Sequence, residues 1–232
     1  NKARQLEYSF GEALQCGADM ILVTGAVQSN YVRSAAAAAA KLGLSCHVQL
    51  ENRVEYMSYS YHRSGNVLLN KLFGASISTF HIGEDEAAAD ANIADIAVSY
   101  VKKGKKPYLL TLSPDTKPWG ALGYMRCAGE ILDQLHNQNK SVSAIVVASG
   151  SAATHVGLLL GLRLLRSRIP VYGICVRRDK KQQVSRVKGI VRLAENLIGC
   201  GEVVQEDDIK CHVMMSGYNR GMVERMNLFT KL

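Results

Sequence analysis

Residues 20–42 read MILVTGAVQSNYVRSAAAAAAKL, an apolar run followed by a short glycine turn and an alanine-rich stretch. The pattern predicts a buried strand over residues 20–24 and a helix over residues 30–42. Open α/β proteins bind their ligands at such turns, beyond the carboxyl ends of the strands. Gln28, Ser29 and Asn30 place three polar side chains before first-turn N–H groups that favour an anion. Two interpretations stay open, a ligand site or a simple N-cap formed by Ser29 or Asn30.

Strand-like and helix-like segments alternate along the rest of the chain. The alternation predicts right-handed βαβ crossovers and parallel sheets, and therefore an α/β fold. Further strands are expected at residues 45–50, 76–80, 107–112, 142–148, 171–176 and 202–204. Helices are expected at residues 4–16, 59–73, 84–103, 153–166 and 181–198, and from residue 219 onward. A further helix is expected to follow the turn-rich residues 113–118 and to end at about residue 135. The polar loop at residues 137–140 is the best candidate for a domain boundary.

Composition excludes several classes of protein. No apolar run approaches the roughly 18 residues that a membrane-spanning helix needs, so no membrane association is predicted. The six cysteines form no C-x-x-C pair, and the six histidines lack metal-ligand spacing. This pattern indicates buried thiols in a reducing compartment, hence a cytoplasmic protein with no metal site.

The net charge of +8 raises the question of a nucleic-acid partner. The basic residues are spread along the chain, and many follow predicted helices, where they complement the helix dipole. One tryptophan and four phenylalanines provide no aromatic platform for stacking bases. We therefore predict no nucleic-acid partner, and the positive charge fits an anionic cofactor or substrate.

A second strand–loop–helix segment, residues 145–157, reads IVVASGSAATHVG. Small residues let backbone N–H groups crowd around a phosphate, and the helix N-terminus adds a favourable potential. The segment is neither a Walker A loop nor G-x-G-x-x-G, so a small phosphate monoester fits better than a nucleotide. The alternative is a tight turn built from small residues, with His155 as a packed or capping residue. Two such turns suggest a phosphorylated cofactor such as pyridoxal phosphate, whose chemistry requires a lysine.

Eight blocks of sequence carry a family resemblance. They are NKARQLEY at 1–8, GAD at 17–19, GAVQSNYVR at 25–33, AAKLG at 39–43, LEN at 50–52, SGNVLL at 64–69, GALGY at 120–124 and VASGSAATH at 147–155. Together they resemble the D-cysteine desulfhydrase and 1-aminocyclopropane-1-carboxylate deaminase family. The resemblance implies the tryptophan-synthase-β-like fold (fold type II) with two parallel-sheet α/β domains. A small domain would comprise residues 11–136. An incomplete large domain that binds pyridoxal 5'-phosphate would comprise residues 1–10 and 137–232.

The resemblance also implies roles for individual residues. Lys2 matches the lysine that forms the Schiff base with pyridoxal phosphate, and Ser29 matches the active-site serine. Asn30 matches the asparagine that bonds the pyridine 3′-oxygen, and Gln28 would hold the substrate carboxylate. The phosphate cup is matched by Gly150, Ser151, Ala152, Ala153 and Thr154.

A third catalytic residue, Tyr218, matches a family tyrosine loosely, and a surface or core tyrosine is the alternative. The family continues beyond both ends of this sequence, so we expect a shortened chain that lacks a second active-site tyrosine.

The activity implied by the resemblance is β-elimination from a small amino acid, giving pyruvate, ammonia and sulfide. Arg53 stands where the cyclopropane deaminases have an aromatic residue, which favours the desulfhydrase. Deamination of 1-aminocyclopropane-1-carboxylate and sulfonate elimination from cysteate are the alternatives within the family. An inactive fragment or homologue acting as a binding module is the alternative from another class. A homodimer is expected from the resemblance alone.

Overall fold

The computed structural model describes residues 2–54, 57–83, 85–111 and 116–213. The chain divides into two compact units, Asn1–Thr116 and Lys117–Leu232, and each contains a parallel β-sheet. The predicted α/β class with parallel sheets is confirmed. The assignment of residues 11–136 to a small domain and the remainder to a large domain stays a prediction.

The first unit is a four-stranded parallel sheet with strand order β3-β2-β1-β4. Its elements are α1 (Lys2–Gln15), β1 (Met20–Ala26), α2 (Asn30–Lys41), β2 (Ser45–Glu51), α3 (Gly65–Leu72), β3 (Ser76–Phe80), α4 (Glu86–Val101) and β4 (Pro107–Leu110). Each connection between neighbouring parallel strands contains a helix, as such crossovers require.

Strand β1 is buried on both faces because helices cover both sides of this sheet. Ile21 and Val23 pack in a cluster with residues of α1 and α2. Met20 and Leu22 point the other way and pack with Ile93 of α4. A strand buried on both faces is apolar throughout, which explains the continuous MILV run that the sequence shows.

The predicted helix over residues 59–73 is wrong in its first half. A single 3₁₀ turn covers Tyr59–His62, and helix α3 begins only at Gly65. Gly65 has a φ of +58°, in the left-handed region that a continuous right-handed helix does not contain. The segment therefore turns before α3.

The second unit contains a three-stranded parallel sheet with strand order β5-β6-β7. Its elements are α5 (Trp119–Asn137), β5 (Ile145–Ser149), α6 (Ala153–Leu164), β6 (Val171–Cys175), α7 (Lys180–Ile198) and β7 (Lys210–His212). Helix α6 is buried over most of its length, which accounts for its nearly continuous apolar sequence.

Helices α5 and α6 approach each other closely through two glycines of α6. A Cβ atom at Gly157 would lie 2.2 Å from the carbonyl oxygen of Ala121. A Cβ at Gly161 would lie 2.7 Å from the carbonyl oxygen of Met125. Larger residues at these two positions would force the helices apart, so the glycines fix the distance between α5 and α6.

The predicted strand at residues 202–204 is wrong, and the last described strand is β7 instead. The backbone N–H groups of Val203 and Val204 donate to Glu195 Oε1, at 2.8 and 2.9 Å. A buried carboxylate therefore takes the donors that a strand would use in a sheet. The helix predicted from residue 219 lies outside the described residues.

Candidate functional site

The turn between β1 and α2 is held tightly against the first turn of the helix. Ser29 is the N-cap of α2, and its Oγ accepts a hydrogen bond from the N–H of Val32 at 3.3 Å. A Cβ atom at Gly25 would lie 2.9 Å from Val32 Cγ2, so the close approach requires glycine there. The capping interpretation is confirmed for Ser29. Asn30 is the first residue of α2 and is exposed.

The Gln28 side chain ties this turn to the segment that precedes α3. Its Nε2 donates to the carbonyl oxygens of Tyr61, at 2.5 Å, and Ser64, at 3.0 Å. Its Oε1 accepts from the N–H of Asn66 at 2.9 Å. A primary amide has two donor hydrogens, and both are used within the protein. Gln28 therefore acts as a clamp on residues 61–66, and its direct contact with a substrate carboxylate stays a prediction.

The Asn66 side chain also binds the β1–α2 turn. Its Nδ2 donates to the main-chain oxygen of Gln28 at 2.8 Å and to Oδ1 of Asn30 at 3.0 Å. Its Oδ1 accepts from Nε of Arg33 at 3.3 Å. The structure thus adds Asn66, to which the sequence analysis assigns no role, to the turn that contains Gln28, Ser29 and Asn30.

Lys2 lies in the first turn of α1 and is half-buried. Its Nζ donates to Oε1 of Gln5 at 3.2 Å. Burial lowers the pKa of the Lys2 amine below its usual value because desolvation disfavours the charged form. A lowered pKa increases the fraction of neutral, nucleophilic amine at neutral pH, as a lysine that bonds an aldehyde needs.

A buried polar network lies behind the carboxyl ends of β1 and β2. Glu51 is 1% exposed and accepts from Thr24 Oγ1 at 3.0 Å. Gln49 Nε2 donates to the same Thr24 oxygen at 3.0 Å. Arg53 pairs with Glu51 through Nε at 2.8 Å and Nη2 at 2.7 Å. The arginine that favoured the desulfhydrase interpretation is therefore fixed by a buried carboxylate.

The loop before α6 differs from the starts of three other helices. Ser29, Asp85 and Asp179 each cap a helix with a side-chain oxygen. Ala152 occupies the N-cap of α6, where an alanine side chain cannot accept a hydrogen bond. It has a φ of +74°, in the left-handed region, at a cost of about 1–2 kcal/mol for a residue with a Cβ atom. The first-turn N–H groups of α6 therefore suit an external anion such as a phosphate.

Side chains of α7 and the residues before it hold the carbonyl groups of this loop. Arg178 Nη1 donates to the oxygen of Gly150 at 3.1 Å, and Gln183 Nε2 donates to it at 3.2 Å. Arg186 Nε donates to the oxygen of Ser151 at 3.3 Å. Two guanidinium groups beside a helix N-terminus make the region electropositive, which fits a phosphate dianion. These supporting residues lie 28 to 35 positions downstream, in α7 or just before it, where the sequence carries no motif.

His155 is a packed residue, which is one of the two roles that the alternative interpretation of this segment predicts. It is fully buried, and its Nδ1 lies 3.2 Å from Ser149 Oγ. Burial lowers the pKa of His155 to about 4, with a smaller opposing effect from a backbone hydrogen bond. The ring is therefore neutral at physiological pH and supports the β5–α6 loop from within the core.

Three other predictions concern absences or residues beyond the site. Among the described residues, no cluster of three or more His, Cys, Asp or Glu side chains is arranged to hold a metal ion. Over the same part of the chain, no helix has the length and hydropathy to cross a membrane. Tyr218 lies outside the described residues.

The fold and these residues are typical of one class of protein. Parallel α/β units, a half-buried lysine with a lowered pKa and a small-residue loop that suits a phosphate are features that an enzyme of pyridoxal phosphate requires. The model of the pyridoxal-phosphate dependent enzyme family matches residues 1–217. The chain belongs to this family, and the prediction of its cofactor class is confirmed.

Curated relatives share more than a third of the aligned residues. The D-cysteine desulfhydrase of Serratia proteamaculans is 38% identical over 203 residues, covering 88% of this chain and 60% of that protein. The D-cysteine desulfhydrase of Klebsiella pneumoniae is 36% identical over 211 residues, covering 90% and 63%. The chain therefore spans about 60% of the length of these relatives.

Solved structures share the fold. An ACC deaminase homologue superposes with a TM-score of 0.78 at 28% identity, covering all of this chain and 69% of the other. A hydrogen sulfide-producing enzyme from Fusobacterium nucleatum superposes with a TM-score of 0.57 at 17% identity, covering 78% and 51%, which supports the fold alone. The predicted tryptophan-synthase-β-like architecture is confirmed.

Proposed function

We propose that this protein is a lyase of the D-cysteine desulfhydrase type, which eliminates sulfide from a small amino acid and yields pyruvate and ammonia. The half-buried Lys2 amine, with its lowered pKa, is the structural observation that carries the proposal. The similarity to D-cysteine desulfhydrases over 88% and 90% of the chain supports the choice of substrate.

The proposal assigns one group of residues in each unit to pyridoxal phosphate. Lys2 would bond the cofactor aldehyde, and Asn30 would donate to the pyridine 3′-oxygen. The phosphate would bind the α6 N-terminal loop, formed by Gly150, Ser151, Ala152, Ala153 and Thr154. When bound, the cofactor withdraws electrons from the substrate Cα and so makes its proton easier to remove.

The residues of the β1–α2 turn would bind the substrate and handle its proton. A helix leaves its first N–H groups without intrahelical partners, so those of Asn30 and Tyr31 suit the substrate carboxylate. Ser29 Oγ is held in place by the N–H of Val32, which orients the hydroxyl. Lys2 or Ser29 would take the Cα proton, and the lowered pKa of Lys2 increases the fraction of neutral amine that can act as that base.

Three further expectations belong to the proposal. Tyr218 would be a third catalytic residue. All six cysteines are free thiols, which supports a cytoplasmic location. A homodimer that acts on a small amino acid is expected from the family resemblance.

A second candidate is deamination of 1-aminocyclopropane-1-carboxylate, favoured by the superposition with an ACC deaminase homologue. Arg53 argues for the desulfhydrase through the resemblance alone, because it stands where the cyclopropane deaminases have an aromatic residue. Elimination of sulfonate from cysteate is a further candidate within the family.

The deciding experiment measures release of ammonia and of the 2-oxo acid with pyridoxal phosphate present. The 2-oxo acid is pyruvate for D-cysteine, L-cysteine and cysteate, and 2-oxobutanoate for 1-aminocyclopropane-1-carboxylate. We expect the highest kcat/KM with D-cysteine, equal release of sulfide and pyruvate, and loss of both in Lys2→Ala. A higher kcat/KM for the cyclopropane substrate would assign the deaminase, and one for cysteate the sulfo-lyase. A chain that binds no pyridoxal phosphate would instead be the inactive homologue or binding module.

A further inference from the structure

Asn66 lies where the segment before α3 meets the β1–α2 turn. Both hydrogens of its Nδ2 are donated to that turn, one to the main-chain oxygen of Gln28 and one to Oδ1 of Asn30. Its main-chain N–H donates to Gln28 Oε1. Three hydrogen bonds from a single residue thus join the two segments.

The contact with Asn30 determines which side of the Asn30 amide is available. A primary amide presents an acceptor oxygen on one side and a donor nitrogen on the other. Because Asn66 engages Oδ1 at 3.0 Å, the Asn30 amide offers Nδ2 as its remaining hydrogen-bonding group. A flip of the amide would set two NH₂ groups against each other and lose that hydrogen bond.

The orientation of Asn66 is itself fixed. Arg33 Nε donates to Asn66 Oδ1 at 3.3 Å, so only the NH₂ side of Asn66 can face Asn30. A guanidinium group has N–H donors and no acceptor, so Arg33 can act only as a donor. The donors and acceptors are therefore fixed along this chain of hydrogen bonds, because Arg33 donates to Asn66 and Asn66 donates to Asn30.

We propose that Asn66 is a positioning residue for the cofactor ring, holding the Asn30 amide so that Nδ2 donates to the pyridine 3′-oxygen. The inference rests on the proposed function, since it concerns how Asn30 contacts pyridoxal phosphate. A hydrogen bond to an ionised oxygen stabilises the ionised form and strengthens binding. Asn66 would contribute to both effects without touching the cofactor.

The test compares the full chain with Asn66→Ala, Asn30→Ala and the double variant, using pyridoxal phosphate as the probe. Dissociation constants and absorption spectra are measured from acid to alkaline pH. We expect about tenfold weaker binding in Asn66→Ala. We also expect part of the visible band to move to the near ultraviolet, because the ring oxygen then retains a proton. The double variant should match Asn30→Ala within about twofold.

Asn92→Ala is the matched control, because Asn92 also donates an amide hydrogen bond to an amide, Gln49 Oε1, but does so on α4. It should keep the wild-type spectrum and affinity even where its thermal stability falls. If wild type shows the normal band and the band of Asn66→Ala titrates with pH as wild type does, the inference is overturned and the proposed function stands. Additive losses in the double variant would also overturn it, because Asn66 would then not act through Asn30. A wild-type chain that acquires no band would overturn the proposed function and the inference together.

Discussion

Gly65→Ala should destabilise the first unit by more than backbone strain alone explains. The residue has a φ of +58°, where a Cβ atom costs about 1–2 kcal/mol. That Cβ would also lie 2.6 Å from Gln28 Oε1 and displace the amide. Gln28 makes three hydrogen bonds with residues 61–66, each contributing about 1 kcal/mol. Partial loss of these bonds brings the expected total to about 2–4 kcal/mol.

Gly74→Ala is the matched control for this prediction, because Gly74 has a φ of +76° and nothing lies within 4 Å of an added Cβ. Gly74→Ala should lower the free energy of unfolding by about 1–2 kcal/mol, which is the cost of the backbone strain alone. Urea unfolding at equilibrium, with equal m-values, gives both free energies of unfolding. Equal losses in the two variants would refute the clamp that we assign to Gln28.

Two further predictions concern the second unit. Gly157→Ala should lower its free energy of unfolding by about 1–3 kcal/mol, because the new Cβ would overlap Ala121 and Tyr124 of α5. Gly189→Ala in α7 has open space and should be neutral or stabilising, so a similar loss in both would contradict the packing argument. His155 has a folded-state pKa of about 4 against an ordinary value of 6.5. The unfolded state therefore binds the proton first, and stability is complete above pH 6.5 and falls as the pH drops towards 4. The loss from this group should be about 1.4 kcal/mol per pH unit below 6.5. If the free energy of unfolding fell with pH in parallel in wild type and His155→Gln, the loss could not come from His155.

The sequence predicts the parallel α/β architecture well where burial is unambiguous. Strand β1 is apolar over residues 20–23 because both faces are covered, and the turn after it sets where α2 begins. The pattern fails where a local device competes with periodicity. Gly65 interrupts a segment whose apolar spacing looks helical, and Glu195 captures the N–H groups of residues that look like a strand.

The candidate site is predicted only in part. The sequence identifies the two turns, because small and polar residues cluster there. It does not reveal that Gln28 binds backbone groups 33 and 36 positions away, or that Arg178 and Arg186 donate to carbonyl groups of the loop before α6. Such contacts depend on which distant segments the fold brings together, and ordinary surface-like residues supply them.

The central claim is that Lys2 is the residue that bonds pyridoxal phosphate. The most direct test adds the cofactor, reduces the product with borohydride and maps the modified peptide by mass spectrometry. We predict a stoichiometric phosphopyridoxyl adduct on Lys2, with Lys41→Ala unchanged and Lys2→Ala unlabelled under the same conditions. An adduct on another lysine at equal stoichiometry, or none in a wild-type chain that is shown to be folded, would contradict the claim.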